Sequence, residues 1–129
     1  FAGWHYLALK GARQIAQLLG ETTDANNYSR QMNKVKEGYN RCWNGYAYRH
    51  PEYNDCTDDR VQALAVVSGI AEQDKYPYII DLFKKQFYAS PYMEKYVMEA
   101  LFVMGEGKYA MERMQKRFAP MVNHPFYTT

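Results

Sequence analysis

Two short runs in this 129-residue sequence set polar and charged groups at the start of a helical pattern. One is Thr57-Asp58-Asp59-Arg60; the other holds Ser90, Tyr92 and Glu94. The first turn of a helix offers unbonded N–H groups and the positive end of the helix dipole, so side chains there can frame a polar ligand site. The same residue types also serve as caps. Thr57, Asp58 and Ser90 stand where stability alone would put an N-cap, whereas Arg60 and Glu94 exceed what capping requires. Glu99, inside an otherwise apolar run, reads as a paired structural carboxylate. The remaining chemistry-bearing types make no motif. His5, His50 and His124 fall in three different segments with no metal-ligand spacing. Asp58-Asp59 lacks the further Asp of an aspartate-rich metal motif, because Gln62 holds that place. The chain has no glycine-rich phosphate loop and no Gly-x-Ser-x-Gly nucleophile turn. The run Gly45-Tyr46-Ala47-Tyr48-Arg49-His50-Pro51 reads as a surface hairpin, with a ligand lip as the alternative.

The elements that must carry these residues are helical. Apolar spacing and capping residues predict six helices, at about 2–19, 23–43, 57–69, 74–88, 90–104 and 108–119. Gly20, Gly69 and Gly105 close the odd-numbered ones. Ser90 as N-cap with Pro91 at the first helical position is the strongest start signal. Pro120 is expected to end or kink the sixth. The even-numbered helices are one-sided. The second places Tyr28, Met32, Val35, Tyr39 and Cys42 on one face; the fourth, Tyr76, Ile80, Phe83 and Phe87. The sixth sets Met111, Met114, Phe118 and Met121 against Glu112, Arg113 and Lys116. The odd-numbered helices are apolar nearly all round and are expected to be buried on both sides. Alternating buried and one-sided helices imply an all-α fold of αα-hairpins in two layers. The three hairpins span about 2–43, 57–88 and 90–120 of a single domain fragment. The uneven spacing of the closing glycines argues against a regular solenoid and for part of an (α/α) toroid.

Composition narrows the classes. Apolar residues make up 47% and charged residues 23%, the balance of a globular chain rather than a disordered or coiled-coil one. A net charge of +2 with interspersed signs does not suggest a nucleic-acid partner. The longest uncharged apolar stretch, Val61 to Ile70, is far short of the roughly 20 residues of a membrane span, so no membrane association is expected. Cys42 and Cys56 form neither a metal-finger nor a disulfide framework and are expected as free thiols. The thirteen tyrosines suit a polar ligand site as well as a helical core. No leader pattern is expected at the N-terminal end, where the chain is already in helical pattern, as a piece of a longer polypeptide would be.

Three blocks then carry a resemblance. They are Gly3-Trp4-His5-Tyr6-Leu7-Ala8-Leu9-Lys10-Gly11, Thr57-Asp58-Asp59-Arg60-Val61-Gln62-Ala63-Leu64-Ala65, and Ala89-Ser90-Pro91-Tyr92-Met93-Glu94-Lys95-Tyr96-Val97-Met98-Glu99-Ala100-Leu101. With Arg113-Met114, Arg117-Phe118-Ala119-Pro120-Met121 and Thr128-Thr129, they recur in this order in one family. The chain resembles, over essentially its whole length, the six-hairpin domain of bacterial α-L-rhamnosidases, glycoside hydrolase family 78. The resemblance implies about half of an (α/α)6 barrel, with sugar bound at the N-terminal ends of the inner helices. It also implies release of terminal α-L-rhamnose with inversion, by a carboxylic acid and a carboxylate base roughly 6.5–9.5 Å apart. The family's acid lies in an Asp-x-x-Gly-Glu-Arg-type stretch, which does not occur in this sequence, and its base follows a Thr-Thr-x-Trp-Glu stretch, of which only Thr128-Thr129 is present.

The segment is therefore expected to hold site-wall residues (Asp58, Asp59, Arg60, Tyr92 and Glu94) without the catalytic pair, and to be inactive alone. No cofactor is expected. The expected partners are a rhamnose-containing glycan or glycoside for the parent enzyme and a second copy of the fragment, whose open flanks would be apolar. An α-hairpin protein-binding module, or a six-hairpin enzyme for another sugar, are the alternative readings.

Overall fold

The computed structural model describes residues 2–126; Phe1 and the Thr128-Thr129 match lie outside the described residues. The chain is all-α. Six α-helices run in order: α1 (Ala2–Leu18), α2 (Thr22–Asn40), α3 (Asp59–Ser68), α4 (Tyr76–Lys85), α5 (Pro91–Val103) and α6 (Gly107–Val122), with a 3-10 turn at Gln73–Lys75 ahead of α4. Among the described residues the only β pairing is a single bridge between Trp43 and Tyr48. No described helix is long and apolar enough to cross a membrane.

Local sequence accounts for most boundaries. Asp58 caps α3, its carboxylate accepting the Arg60 N–H at 2.8 Å, and Gly69 ends the helix at φ +87°, a left-handed turn that a side chain disfavours. Ser90 caps α5 by accepting from the Met93 N–H, and Pro91 occupies the first helical position, as the sequence predicts. Several boundaries differ from expectation, among them the end of α2 at Asn40 rather than about 43. Helix α2 starts at Thr22, with Glu21 preceding it and no side-chain cap. The fourth helix opens as the 3-10 turn and stops at Lys85, leaving 86–90 as connection. Helix α6 continues through Pro120 to Val122. Proline removes the N–H that would reach the Lys116 carbonyl and crowds that carbonyl, but only two residues of α6 follow it, so little helix lies beyond the disturbed turn.

Helix α1 packs on α2 and on α3; α3 packs also on α4 and α5, and α5 on α6. The contiguous core is built from residues 47 to 110, centred on Val66, Ile79, Leu82, Phe83, Val97 and Leu101. Only α3 is buried nearly all round. On α1, only Gly3, Leu9 and Ala16 are buried, and Leu18 is 87% exposed. On α5, Phe102 and Val103 are exposed. The expectation that all three odd helices are buried on both sides is thus met by α3 and corrected for α1 and α5, whose outward faces find no neighbour among the described residues. Helix α6 turns a different face inward from the one predicted: Arg113 is buried and Met111 is exposed.

Candidate functional site at the start of helices α3 and α5

The two polar runs do begin α3 and α5, and the structure divides their five residues into three environments. Asp58 and Arg60 form a partly exposed pair at the head of α3. The Arg60 Nε lies 2.8 and 2.9 Å from the two Asp58 oxygens. Burial disfavours the Asp58 charge, but hydrogen bonds from the Arg60 side chain and backbone outweigh it and hold the carboxyl below its ordinary range. Arg60 is raised in turn, chiefly by that hydrogen bond.

Asp59 and Glu94 are not on a surface of this chain. Both are fully buried around Arg113, which reaches them from α6. The Arg113 Nη2 donates to Asp59 Oδ2 at 2.9 Å and to Glu94 Oε2 at 3.2 Å, while its Nε donates to Glu94 Oε1. Its Nη1 donates to the Phe83 and Gln86 carbonyls where α4 ends. The guanidinium lies 4.7 Å from the centroid of the Phe87 ring. Arg117 adds a second cation, donating to the Ala89 carbonyl at 2.6 Å and standing 3.6 Å from Glu94 Oε2. Two carboxylates and two guanidinium groups thus balance in charge and tie α3, α5, α6 and the α4–α5 connection together. Such a cluster is tolerable out of water only because its members are paired and hydrogen-bonded. Asp59 is its least satisfied member. Oδ2 also accepts the Ala89 N–H at 3.3 Å, but Oδ1 has no hydrogen-bond partner. Burial pushes this carboxyl up, and the Ala89 N–H and Arg113 offset the rise only in part. Asp59 and Glu94, expected on a site wall, thus lie in a buried cluster that joins the heads of α3 and α5 to α6. Glu99, expected as the paired structural carboxylate, is exposed; Glu94 has that role.

Tyr92 occupies the third environment. It is 68% exposed and belongs to an aromatic chain that joins α5 to α1. Its ring centroid lies 5.9 Å from that of Tyr96, whose ring meets Trp4 edge-on at 5.0 Å. Lys95 Nζ stands 4.9 Å from the Tyr96 centroid.

Sequence reasoning missed Gln62 as well as Arg113. Gln62 is fully buried and pairs with both backbone groups of Tyr48: its Oε1 accepts the Tyr48 N–H and its Nε2 donates to the Tyr48 carbonyl, each at 2.8 Å. That clamp holds the 44–56 loop on α3, so the run 45–51 is only partly a surface hairpin: Ala47 and Tyr48 are buried. Nothing local in the sequence marks Arg113 for this role, because Asp59 and Glu94 call for a cation only once packing has buried them. Among the described residues no group of His, Cys, Asp and Glu could hold a metal ion. Cys42 and Cys56 are free thiols.

A scan against protein-family models finds none that matches this chain. A search of curated proteins finds no match either.

Proposed function

We propose that this chain is about half of an (α/α)6 ring from a glycoside hydrolase of the bacterial α-L-rhamnosidase type. In this reading α1, α3 and α5 are inner helices, α2, α4 and α6 outer ones, and the catalytic acid and base belong to other parts of the parent enzyme. The observation that carries the reading is where the resembling blocks meet. The Thr57-to-Ala65 block supplies Asp59, the Ala89-to-Leu101 block supplies Glu94, and the Arg113-Met114 and Arg117-to-Met121 matches supply the two arginines that bind them. Segments far apart in sequence are held at one place, which fixes the heads of α3 and α5 relative to one another. Asp58, Arg60 and Tyr92 stand exposed or half-buried at those heads, where a sugar would be met by a carboxylate, a guanidinium and an aromatic face.

The uncovered apolar residues support the half-ring: Ile15 and Leu18 of α1, Leu19 just beyond it, and Phe102 and Val103 of α5 are all exposed. Neighbouring hairpins of a closed ring would cover such residues, and a second copy of the chain would serve in their absence. The test is hydrolysis of an aryl α-L-rhamnoside by the full parent reading frame beside the 129-residue chain. Turnover by the parent and none by the chain is expected. A folded parent that leaves the rhamnoside intact overturns the substrate assignment. Sedimentation of the chain alone should show self-association, and a monodisperse monomer would count against the open half-ring.

A further inference from the structure

A cleft of about 600 Å³ lies where the α1–α2 hairpin meets α3 and the 44–56 loop. That volume falls within the range of about 300–1,000 Å³ typical of small-molecule sites. Of the residues proposed above as sugar wall, only Asp58 borders it.

Asp58 and Arg49 both line the cleft, and they differ in how far their charge is met. Asp58 is saturated. Its Oδ1 accepts the Arg60 backbone N–H and Nε, both at 2.8 Å, and its Oδ2 meets the same Nε at 2.9 Å and the Arg60 Nη2. Arg49 is not. Its guanidinium donates to the Tyr53 carbonyl at 3.0 Å, to Thr57 Oγ1 at 3.3 Å and to the Asp55 carbonyl, all neutral acceptors. No ion pair among the described residues includes it. An arginine has five N–H donors, so these bonds hold the group at the cleft and still leave donors free. Arg49 is half-buried, so it has lost part of its hydration without gaining an anion.

The polar groups beside it add donors. Thr57 Oγ1 accepts from Arg49 and keeps its own proton to donate. His50 accepts the Glu52 N–H at Nδ1, at 3.2 Å, which leaves Nε2 as the donor of the neutral ring. Val35, Val61 and Leu64 give the cleft apolar walls. A cation with free N–H groups next to apolar walls suits a ligand with one negative charge and a hydrocarbon body. A dianion would bring a second charge with no partner in the cleft, and a planar carboxylate matches the guanidinium fork.

We propose that this cleft is a binding site for a small monocarboxylate with an apolar body. Arg49 would hold the carboxylate, with Thr57 and His50 donating beside it, and Val35, Val61 and Leu64 would cover the hydrocarbon. The proposal goes beyond the glycosidase reading and does not depend on it.

The test titrates the 129-residue chain with octanoate at neutral pH by calorimetry. Octanamide serves as the uncharged counterpart of the same shape, and acetate as the carboxylate without a body. Saturable binding of one octanoate per chain is expected, at least about tenfold tighter than either. Two variants locate it. Arg49→Gln should remove the preference for octanoate over octanamide. Val61 is 37% exposed on α3, where a longer polar side chain can be accommodated. Val61→Glu should therefore leave the helical circular dichroism unchanged, set a negative charge in the cleft and weaken octanoate binding by at least about tenfold. It keeps the test decisive if Arg49→Gln disturbs the loop. No saturable binding by the folded chain overturns the site. Octanoate binding undiminished in folded Val61→Glu overturns its location. Equal affinity for octanamide overturns the role of the charge, and equal affinity for acetate overturns that of the apolar walls.

Discussion

The α1–α2 hairpin and the α3–α6 unit are both helical, but they are held by different physics. The α3–α6 unit and the loop before it own the contiguous core, from Ala47 to Ala110. They also enclose the balanced charge cluster of Asp59, Glu94, Arg113 and Arg117. The hairpin adds only the half-buried Tyr6 and Tyr39 against that contiguous core. Its buried apolar side chains are Leu9, Ala16, Ala25 and Met32, and its two helices pack chiefly on one another. It docks through narrow contacts: Gly3 against Leu64, Trp4 against Tyr96, and the Tyr39 hydroxyl on the Val61 carbonyl. Burial of many apolar side chains about one helix makes a cooperative unit, whereas a docked hairpin can open by itself at lower free energy. Backbone amides of α1 and α2 should therefore exchange with solvent faster than those of α3 and α5. Equal protection throughout would break the comparison.

The largest effect is expected inside the α3–α6 unit. Arg113→Met keeps most of the side-chain volume but leaves Asp59 and Glu94 buried without their main cation. Breaking a buried pair from one side typically costs about 3–5 kcal/mol, and here two carboxylates are stranded. Urea unfolding at neutral pH should show a loss of at least that order; a loss below about 1 kcal/mol would remove the cluster from any account of stability. The pH dependence gives a second readout. Burial already sets the Asp59 carboxyl above its ordinary value of 3.8, and loss of Arg113 should raise it further. A carboxyl raised by folding favours the folded state below its unfolded value, and that contribution is lost as pH rises through the folded one. The deficit of the variant should therefore shrink as pH is lowered toward the ordinary carboxylate range.

An intermediate effect is expected at the seam. A Cβ on Gly3 would stand 2.9 Å from the Leu64 Cβ, closer than real side chains approach. Gly3→Ala must push the hairpin away from α3, at a cost of about 1–3 kcal/mol for overpacking against a helix gain of about 0.5–1 kcal/mol. Gly11 lies on the same helix with nothing within 4 Å of an added Cβ. Gly11→Ala should therefore be stabilising, by about 0.5–1 kcal/mol. Thermal melts of the two variants should move in opposite directions. If both are stabilised, the approach of α1 to α3 is not a close one.

Much of this architecture was legible from the residues because local physics wrote it. Ser90-Pro91 starts α5 and Gly69 ends α3, since cap and left-handed positions admit few residue types. The apolar run of α3 foretold a helix buried nearly all round. What stayed illegible depended on partners distant in sequence. Arg113 looked like the wet face of α6, because a lone arginine at that spacing gives no sign of two carboxylates 54 and 19 residues away. Gln62 looked like one polar interruption in an apolar helix, yet it holds a loop by both hydrogen-bonding ends. Glu99 and Glu94 share a helix and a residue class, and only packing against α6 decides which is buried. Of the five proposed wall residues, position in the first turn was readable in all. Whether the side chain faced solvent or Arg113 was not.

The smallest effects compare the two caps that begin α3 and α5. The Asp58 carboxylate accepts the Arg60 N–H at 2.8 Å and also binds the Arg60 side chain, whereas the Ser90 hydroxyl accepts the Met93 N–H at 3.4 Å. Removing an N-cap costs about 0.5–2 kcal/mol, and the shorter, charge-assisted bond should sit at the upper end. Asp58→Ala is thus expected to destabilise more than Ser90→Ala, a difference that urea midpoints at neutral pH can resolve. The two caps also differ in their response to acid. The Asp58 carboxyl is held below its ordinary 3.8 by Arg60, so its contribution is present above that value and lost as pH falls through the lowered folded value. Ser90 does not titrate. The gap between the variants should therefore close on acidification, and a gap that persists at low pH would mean that Asp58 acts by shape at the head of α3 rather than by charge.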